Sequence, residues 1–229
     1  MLLWTKREKK LLKPLIVEFI GTFAFVYVVT AAAVLQTGLL GISIAHLVIF
    51  TVIVYSFQTI SGSHFNPVVS LIFWIRKQIN TKSFVEYVAI QLTASVFASF
   101  VLSITLGRGT NLAPTLPASG MVQESFLLEI LLTFILVCVI LFVSQSHNRR
   151  ISRGLLGIAV GSAIAFGVFF GAPISGASMN PARTFGPAVM NLNFEYFYIY
   201  IIAPLIGGLL ALSAFYLVKE KNQPKNNKT

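Results

Sequence analysis

Two asparagine–proline pairs, one arginine just past the second pair, and two carboxylates inside apolar sequence are the groups through which this chain could do chemistry. The first pair lies in Ser61-Gly62-Ser63-His64-Phe65-Asn66-Pro67-Val68-Val69-Ser70. The second lies in Ser175-Gly176-Ala177-Ser178-Met179-Asn180-Pro181-Ala182-Arg183-Thr184, 114 residues later. The shared pattern is S-G-x-x-x-N-P-x-x-[S/T]. An asparagine carboxamide is an uncharged donor and acceptor that neither attacks nor titrates. Asparagine is also a good helix N-cap, and proline suits the first helical position. Asn66, Pro67 and Val68, and Asn180, Pro181 and Ala182, therefore read as the starts of two short helices, 66–76 and 180–190. Each would be ~16 Å long. If their positive N-terminal ends meet, a cation is disfavoured there. A water molecule can turn its oxygen to both amides and its hydrogens away, which interrupts a chain of proton donors. The chemistry implied is selection.

The elements that must position these groups are set by composition. Of 229 residues, 56% are hydrophobic and 10% are charged, and mean hydropathy is +0.82. A soluble domain carries about a quarter charged residues. Composition excludes a soluble globular enzyme, a disordered chain and a disulfide scaffold. Cys138, the single cysteine, reads as a small buried hydrophobe. Six apolar stretches run over 14–35, 42–60, 84–106, 125–143, 154–172 and 196–218. Each is long enough to cross a hydrocarbon core of ~30 Å. The short helices reach about half of that depth. Irregular backbone beside them, expected over 61–65 and 171–179, is tolerated in a membrane only where it lines a cavity or packs on protein.

The repeat extends beyond the asparagines. Glu18 and Thr22 in the first span correspond to Glu129 and Thr133 in the fourth, 111 residues on. Tyr87 and Gln91 correspond to Tyr200 and Pro204, 113 residues on. Each half holds three spans, an odd number, so the halves insert with opposite orientation. The repeats run over about 14–106 and 125–218, within one channel domain of 1–229. Polar segments 1–13 and 219–229 flank them.

The net charge of +10 resolves by position. All seventeen basic residues except Arg108 and Arg183 fall in the N-terminal segment, the segment 76–82, the segment 149–153 and the tail. With both termini cytoplasmic these lie on one side, as the positive-inside rule requires. They form no basic face of the nucleic-acid kind, so no nucleic-acid partner is expected. Membrane lipid is the expected neighbour.

On these residues, and on Asn180-Pro181-Ala182-Arg183-Thr184-Phe185-Gly186-Pro187, the chain resembles the aquaporin (major intrinsic protein) family over about 14–218. The resemblance implies an all-α membrane fold, with six spans and two half-helices in two inverted repeats. It also implies a homotetramer with one pore per subunit, in the plasma (inner) membrane. Asn66 and Asn180 match the pore asparagines, and Glu18 and Glu129 match the carboxylates that hold the pore loops. A ring of four side chains near the outer mouth corresponds to His46, Val168, Ala177 and Arg183. Water-selective members pair the arginine with an aromatic ring at the first position and histidine at the second. Here histidine is first and valine second, a quartet resembling plant tonoplast intrinsic proteins. The ring is then wide enough for ammonia, hydrogen peroxide or urea beside water. His64 is expected at the inner pore, with bracing of the loop as the alternative. Val68 replaces the family's alanine, and its added methyl groups are expected to crowd the junction of the half-helices at a cost of about 1–3 kcal/mol unless neighbours shrink.

The expected function is a passive channel for water and small neutral solutes that excludes ions and protons. A glycerol facilitator is the alternative; Thr184 stands where such proteins carry aspartate after the arginine. A proton-coupled transporter is the rival class, because inverted repeats and broken helices occur there too. No metal-ligand spacing, nucleophile motif or phosphate loop supports an enzyme, and no cofactor is expected.

Overall fold

The computed structural model describes residues 6–107, 109–144 and 149–220, without side chains at 6–11, 149–153 and 220. Arg108, His147 (read from sequence as a solvated loop residue) and the tail beyond residue 220 lie outside the described residues. The order is α1 Lys6–Val34, α2 Gly38–Phe57, α3 Pro67–Ile75, α4 Thr81–Thr105, α5 Val122–Ser144, α6 Arg149–Ser175, α7 Pro181–Met190 and α8 Ile199–Glu220. No strand occurs among the described residues. All but α3 and α7 carry apolar windows of membrane-crossing length, from Leu12–Val34 in α1 to Ile199–Lys219 in α8. The protein is an all-α membrane protein of six spans and two half-helices in two inverted repeats.

Burial is arranged as lipid solvent requires. Large apolar side chains such as Ile16, Leu40, Val85, Leu127, Phe166 and Leu217 face outward. Polar side chains such as Glu18, Gln91, Ser95 and Glu129 are buried. With hydrocarbon outside, leucine gains nothing by turning inward. Polar groups must find partners within the protein.

The packing repeats. α1 packs on α2 and α4 as α5 packs on α6 and α8, while α2 and α6 join the halves. That central seam is close because its residues are small: a Cβ on Gly157 would stand 2.8 Å from the Tyr55 ring, and one on Gly161 2.7 Å from the Leu47 carbonyl. α3 packs on α4 and α8, and α7 packs on α4 and α8 in turn.

Two sequence expectations need correction. Irregular backbone was expected from residue 171, yet α6 continues through Pro173 to Ser175. A proline forfeits one helical donor, but the helix end finds other partners. The Ile174 carbonyl accepts from Ala118 N at 2.8 Å and Ser125 Oγ at 2.9 Å. The chain leaves the helix at Gly176, whose φ of +76° suits glycine. Val68, secondly, does not crowd the half-helix junction. It points at α8, where a Cβ on Gly208 would stand 2.6 Å from a Val68 methyl. The missing side chain of Gly208 makes the room that Val68 fills, in a dry cluster with Ile72, Leu141 and Phe215.

Candidate functional site

The site is built from two loops, each held in the same strained shape. Gly62, Ser63 and Phe65 have φ of +90°, +55° and +48°; Gly176, Ala177 and Met179 have +76°, +47° and +53°. A non-glycine residue in the left-handed region costs about 1–2 kcal/mol. What holds the first loop is Glu18, fully buried in α1. Its Oε1 accepts from Ser61 Oγ at 2.7 Å and His64 N at 2.9 Å, and its Oε2 from Phe65 N at 2.7 Å and Gln91 Nε2 at 2.8 Å. Glu129 in α5 does the same for the second loop. It accepts from Ser175 Oγ at 2.9 Å, Ser178 N at 2.7 Å and Met179 N at 2.8 Å. Hydrogen bonds to a charged group contribute roughly 1.5–3 kcal/mol each. Three or four of them outweigh two left-handed residues per loop. With its N–H groups turned to the carboxylate, each loop turns its carbonyls the other way.

Tyr87 and Tyr200 finish the loop ends. Tyr87 donates to the Ser61 carbonyl at 3.0 Å, and Tyr200 to the Ser175 carbonyl at 2.7 Å. Their correspondence is visible in the sequence; their task is not.

The half-helices begin where the loops end. Asn66 caps α3, its Oδ1 accepting from Val68 N at 2.9 Å, and Asn180 caps α7, its Oδ1 accepting from Ala182 N at 2.9 Å. Each amide then reaches across to the other half. Asn66 Nδ2 donates to the Met179 carbonyl at 2.8 Å, and Asn180 Nδ2 to the Phe65 carbonyl at 2.8 Å. This reciprocal brace sets the two N-termini face to face. An amide nitrogen carries two hydrogens, so each asparagine keeps one beyond the brace.

Among the ring candidates, Val168 and Ala177 lie in the same buried cluster, and His46 and Arg183 are close enough to interact electrostatically. His46 is 1% exposed, its Nδ1 is 2.8 Å from the Ile42 carbonyl, and its Nε2 is buried without a protein partner. Arg183 donates from one terminal nitrogen to Thr115 Oγ1, feels the Glu129 carboxylate, and leaves its Nε without a partner. Thr115 had no motif to mark it. It belongs to the connection between α4 and α5, and its burial brings it against Arg183.

On the other side of the asparagines lies a cavity of about 280 Å³ bordered by Phe50, Val54, Gly62, Ser63, Val69 and Val160 among others. The expectation that His64 lines this inner region is corrected here. The His64 ring packs on Phe73 and Tyr87, and its Nδ1 is 3.1 Å from Ser70 Oγ. Ser70 also accepts from Gln91 at 3.1 Å. A polar partner inside the protein draws the ring there, and Gly62 and Ser63 are left to border the cavity. No cluster of three or more metal-binding side chains occurs among the described residues.

Comparison with known proteins matches residues 5–216 to the family described as Major intrinsic protein. The chain is 32% identical over 225 residues to Nodulin-26 of Glycine max, covering 95% of this chain and 82% of that protein. It is 35% identical over 222 residues to Aquaporin NIP2-1 of Zea mays, covering 94% and 74%. Among solved structures it is similar in fold to the aquaglyceroporin from Plasmodium falciparum, with a TM-score of 0.77, 21% identity, and coverage of 89% and 95%. These relatives are of the nodulin-26 kind, which overturns the tonoplast-like assignment drawn from His46, Val168, Ala177 and Arg183. The assignment rested on four positions, whereas kinship is read over some 220 residues.

Proposed function

The chain belongs to the major intrinsic protein family, and from that premise we propose that it is a passive channel for water and small uncharged solutes that excludes ions and protons. The observation that carries this reading is the reciprocal brace of Asn66 on the Met179 carbonyl and Asn180 on the Phe65 carbonyl. It holds two helix N-termini and two spare amide hydrogens at one point on the path. A solute oxygen accepts from both amides. Two half-charges at roughly 5 Å, in an effective dielectric of about 20, oppose a cation by about 3 kcal/mol. Loss of hydration costs an ion several kcal/mol more, so desolvation does most of the excluding and the dipoles add to it. A neutral solute feels no net repulsion and loses far less hydration. The loop carbonyls accept the hydrogen bonds it carries with it.

His46, Val168, Ala177 and Arg183 serve as the outer selectivity ring, with Thr115 holding the arginine. Asn66 and Asn180 are the pore asparagines, and Glu18 and Glu129 keep the loops in shape. The small apolar side made by Val168 and Ala177 favours a second solute class, up to glycerol or urea in size. The unit is one channel domain over 1–229. It assembles as a homotetramer, with both termini cytoplasmic, in the plasma (inner) membrane.

Stopped-flow light scattering on proteoliposomes tests the reading. Water flux should be fast, should have a low activation energy, and should need no gradient of a second ion. Flux equal to that of protein-free liposomes would overturn it, and flux that needs a proton gradient would point to the coupled transporter.

A further inference from the structure

Counting along the second half from Asn180, the outer-ring positions are Val168 (twelve before), Ala177 (three before) and Arg183 (three after); His46 stands twenty before Asn66 in the first half. The same offsets exist in the opposite halves. Twelve before Asn66 is Val54, three before is Ser63, three after is Val69, and twenty before Asn180 is Val160. The correspondence is geometric as well as numerical. Ser63 and Ala177 share a left-handed φ, +55° and +47°, and each donates its N–H to the serine two residues earlier. Val54, Ser63, Val69 and Val160 all border the 280 Å³ cavity on the side of the asparagines away from Arg183. Three of the four are valines in one buried cluster. The fourth, Ser63, has a buried hydroxyl with no protein partner.

We propose that Val54, Ser63, Val69 and Val160 form a second selectivity ring, the internal image of the outer one, through which every solute passes on the far side of the asparagines. The proposal rests on the channel reading above. Its chemistry is the reverse of the outer ring's. The outer ring offers an arginine and a histidine, while this one offers methyl groups and one hydroxyl. A solute entering it exchanges hydration for hydrogen bonds with Ser63 and the loop backbone on one side and apolar contact with the three valines on the others. That environment suits small neutral solutes with both CH and hydroxyl groups, short polyols in particular. Beside water, it favours such solutes over equally large ones that are polar all round.

Cysteine modification tests the placement in a Cys138→Ala background. Ser63→Cys and Val160→Cys are small changes, and each is treated with a methanethiosulfonate reagent in proteoliposomes. The expected result is a mass shift from labelling, at least a fivefold fall in water flux, and recovery on reduction. Labelling that leaves flux unchanged would overturn the proposal, and so would failure of both cysteines to label. Val160→Ala tests the selectivity: the ratio of glycerol to water flux should rise at least twofold, and an unchanged ratio would count against a selecting ring. If the unmodified protein conducts no better than lipid, the channel reading itself fails, and this is seen before any cysteine is introduced.

Discussion

The half formed by α1–α4 and the half formed by α5–α8 solve one problem with the same backbone and then place different side chains around it. Each strains a loop through three positive-φ residues, and each holds it with one buried glutamate and a capping asparagine. The side chains that differ are those beside the path and those between helices. Arg183 in one half answers to Val69 in the other. Ser95 welds α4 to α7, accepting from Gly186 N and donating to the Ala182 carbonyl, whereas Val68 fits dry over Gly208 between α3 and α8. Gln91 adds a donor to Glu18, whereas Pro204 stands at the matching position in the second half. The duplicated backbone is what the function needs twice. In the proposed function, the divergent side chains are where selectivity is set.

Removing the device that both halves share should have the greatest consequence. Glu129→Gln places an amide against three donors, and the second loop should lose its shape. Water flux should fall more than tenfold, with a loss of stability of about 3 kcal/mol or more seen as a lower Tm in detergent. Glu18→Gln should behave alike, and a mild effect in either half would mean the loops are held some other way.

Exchanging a difference between the halves should have the next largest effect. Arg183→Val copies the inner-side residue into the outer ring. Solute-by-solute swelling should show glycerol flux rising about tenfold and a new cation leak, with water flux changed less. If ion exclusion is undiminished, Arg183 is not the outer barrier.

The helix contacts offer a test by double mutation. Gly208→Ser alone should cost about 1–3 kcal/mol by overpacking against Val68. Combining it with Val68→Ala rebuilds the small pairing that Ala182 and Ser95 make between α7 and α4. The double mutant should recover at least half of the loss, a coupling of about 1 kcal/mol. Strict additivity would show that the two side chains do not share that space.

The smallest expected effect sharpens the outer ring. Val168→His should lower urea and glycerol flux about threefold while sparing water. If no solute responds, residue 168 does not border the path.

Much of this was legible in the sequence because a membrane permits few solutions. Six apolar stretches give six spans, and paired Asn-Pro motifs give two capped half-helices, since asparagine and proline act on the backbone next to them. Glu18 and Glu129 stood out because an unpaired carboxylate in hydrocarbon is too costly to be incidental. Their partners, the N–H groups of His64, Phe65, Ser178 and Met179, did not stand out, because a backbone donor has no sequence signature. His64 was misplaced because a histidine beside an irregular loop has two faces to choose from, and Ser70 decides between them across one turn of α3. The cost of Val68 stayed open for a related reason. A valine reads as crowding until one knows which residue lies opposite, and here that residue is Gly208.

The sequence by itself determined what local forces determine: which segments cross, where helices start, that the chain is duplicated, and which charged residues lie in the apolar part. The tertiary structure decided what depends on contacts between residues far apart in the chain. The Asn66–Met179 and Asn180–Phe65 hydrogen bonds span 113 and 115 residues, and the Arg183–Thr115 bond spans 68. The two asparagine bonds exist only once the two halves have closed on one another, because neither half supplies both donor and acceptor; the arginine bond exists once the connection between the halves has packed on the second.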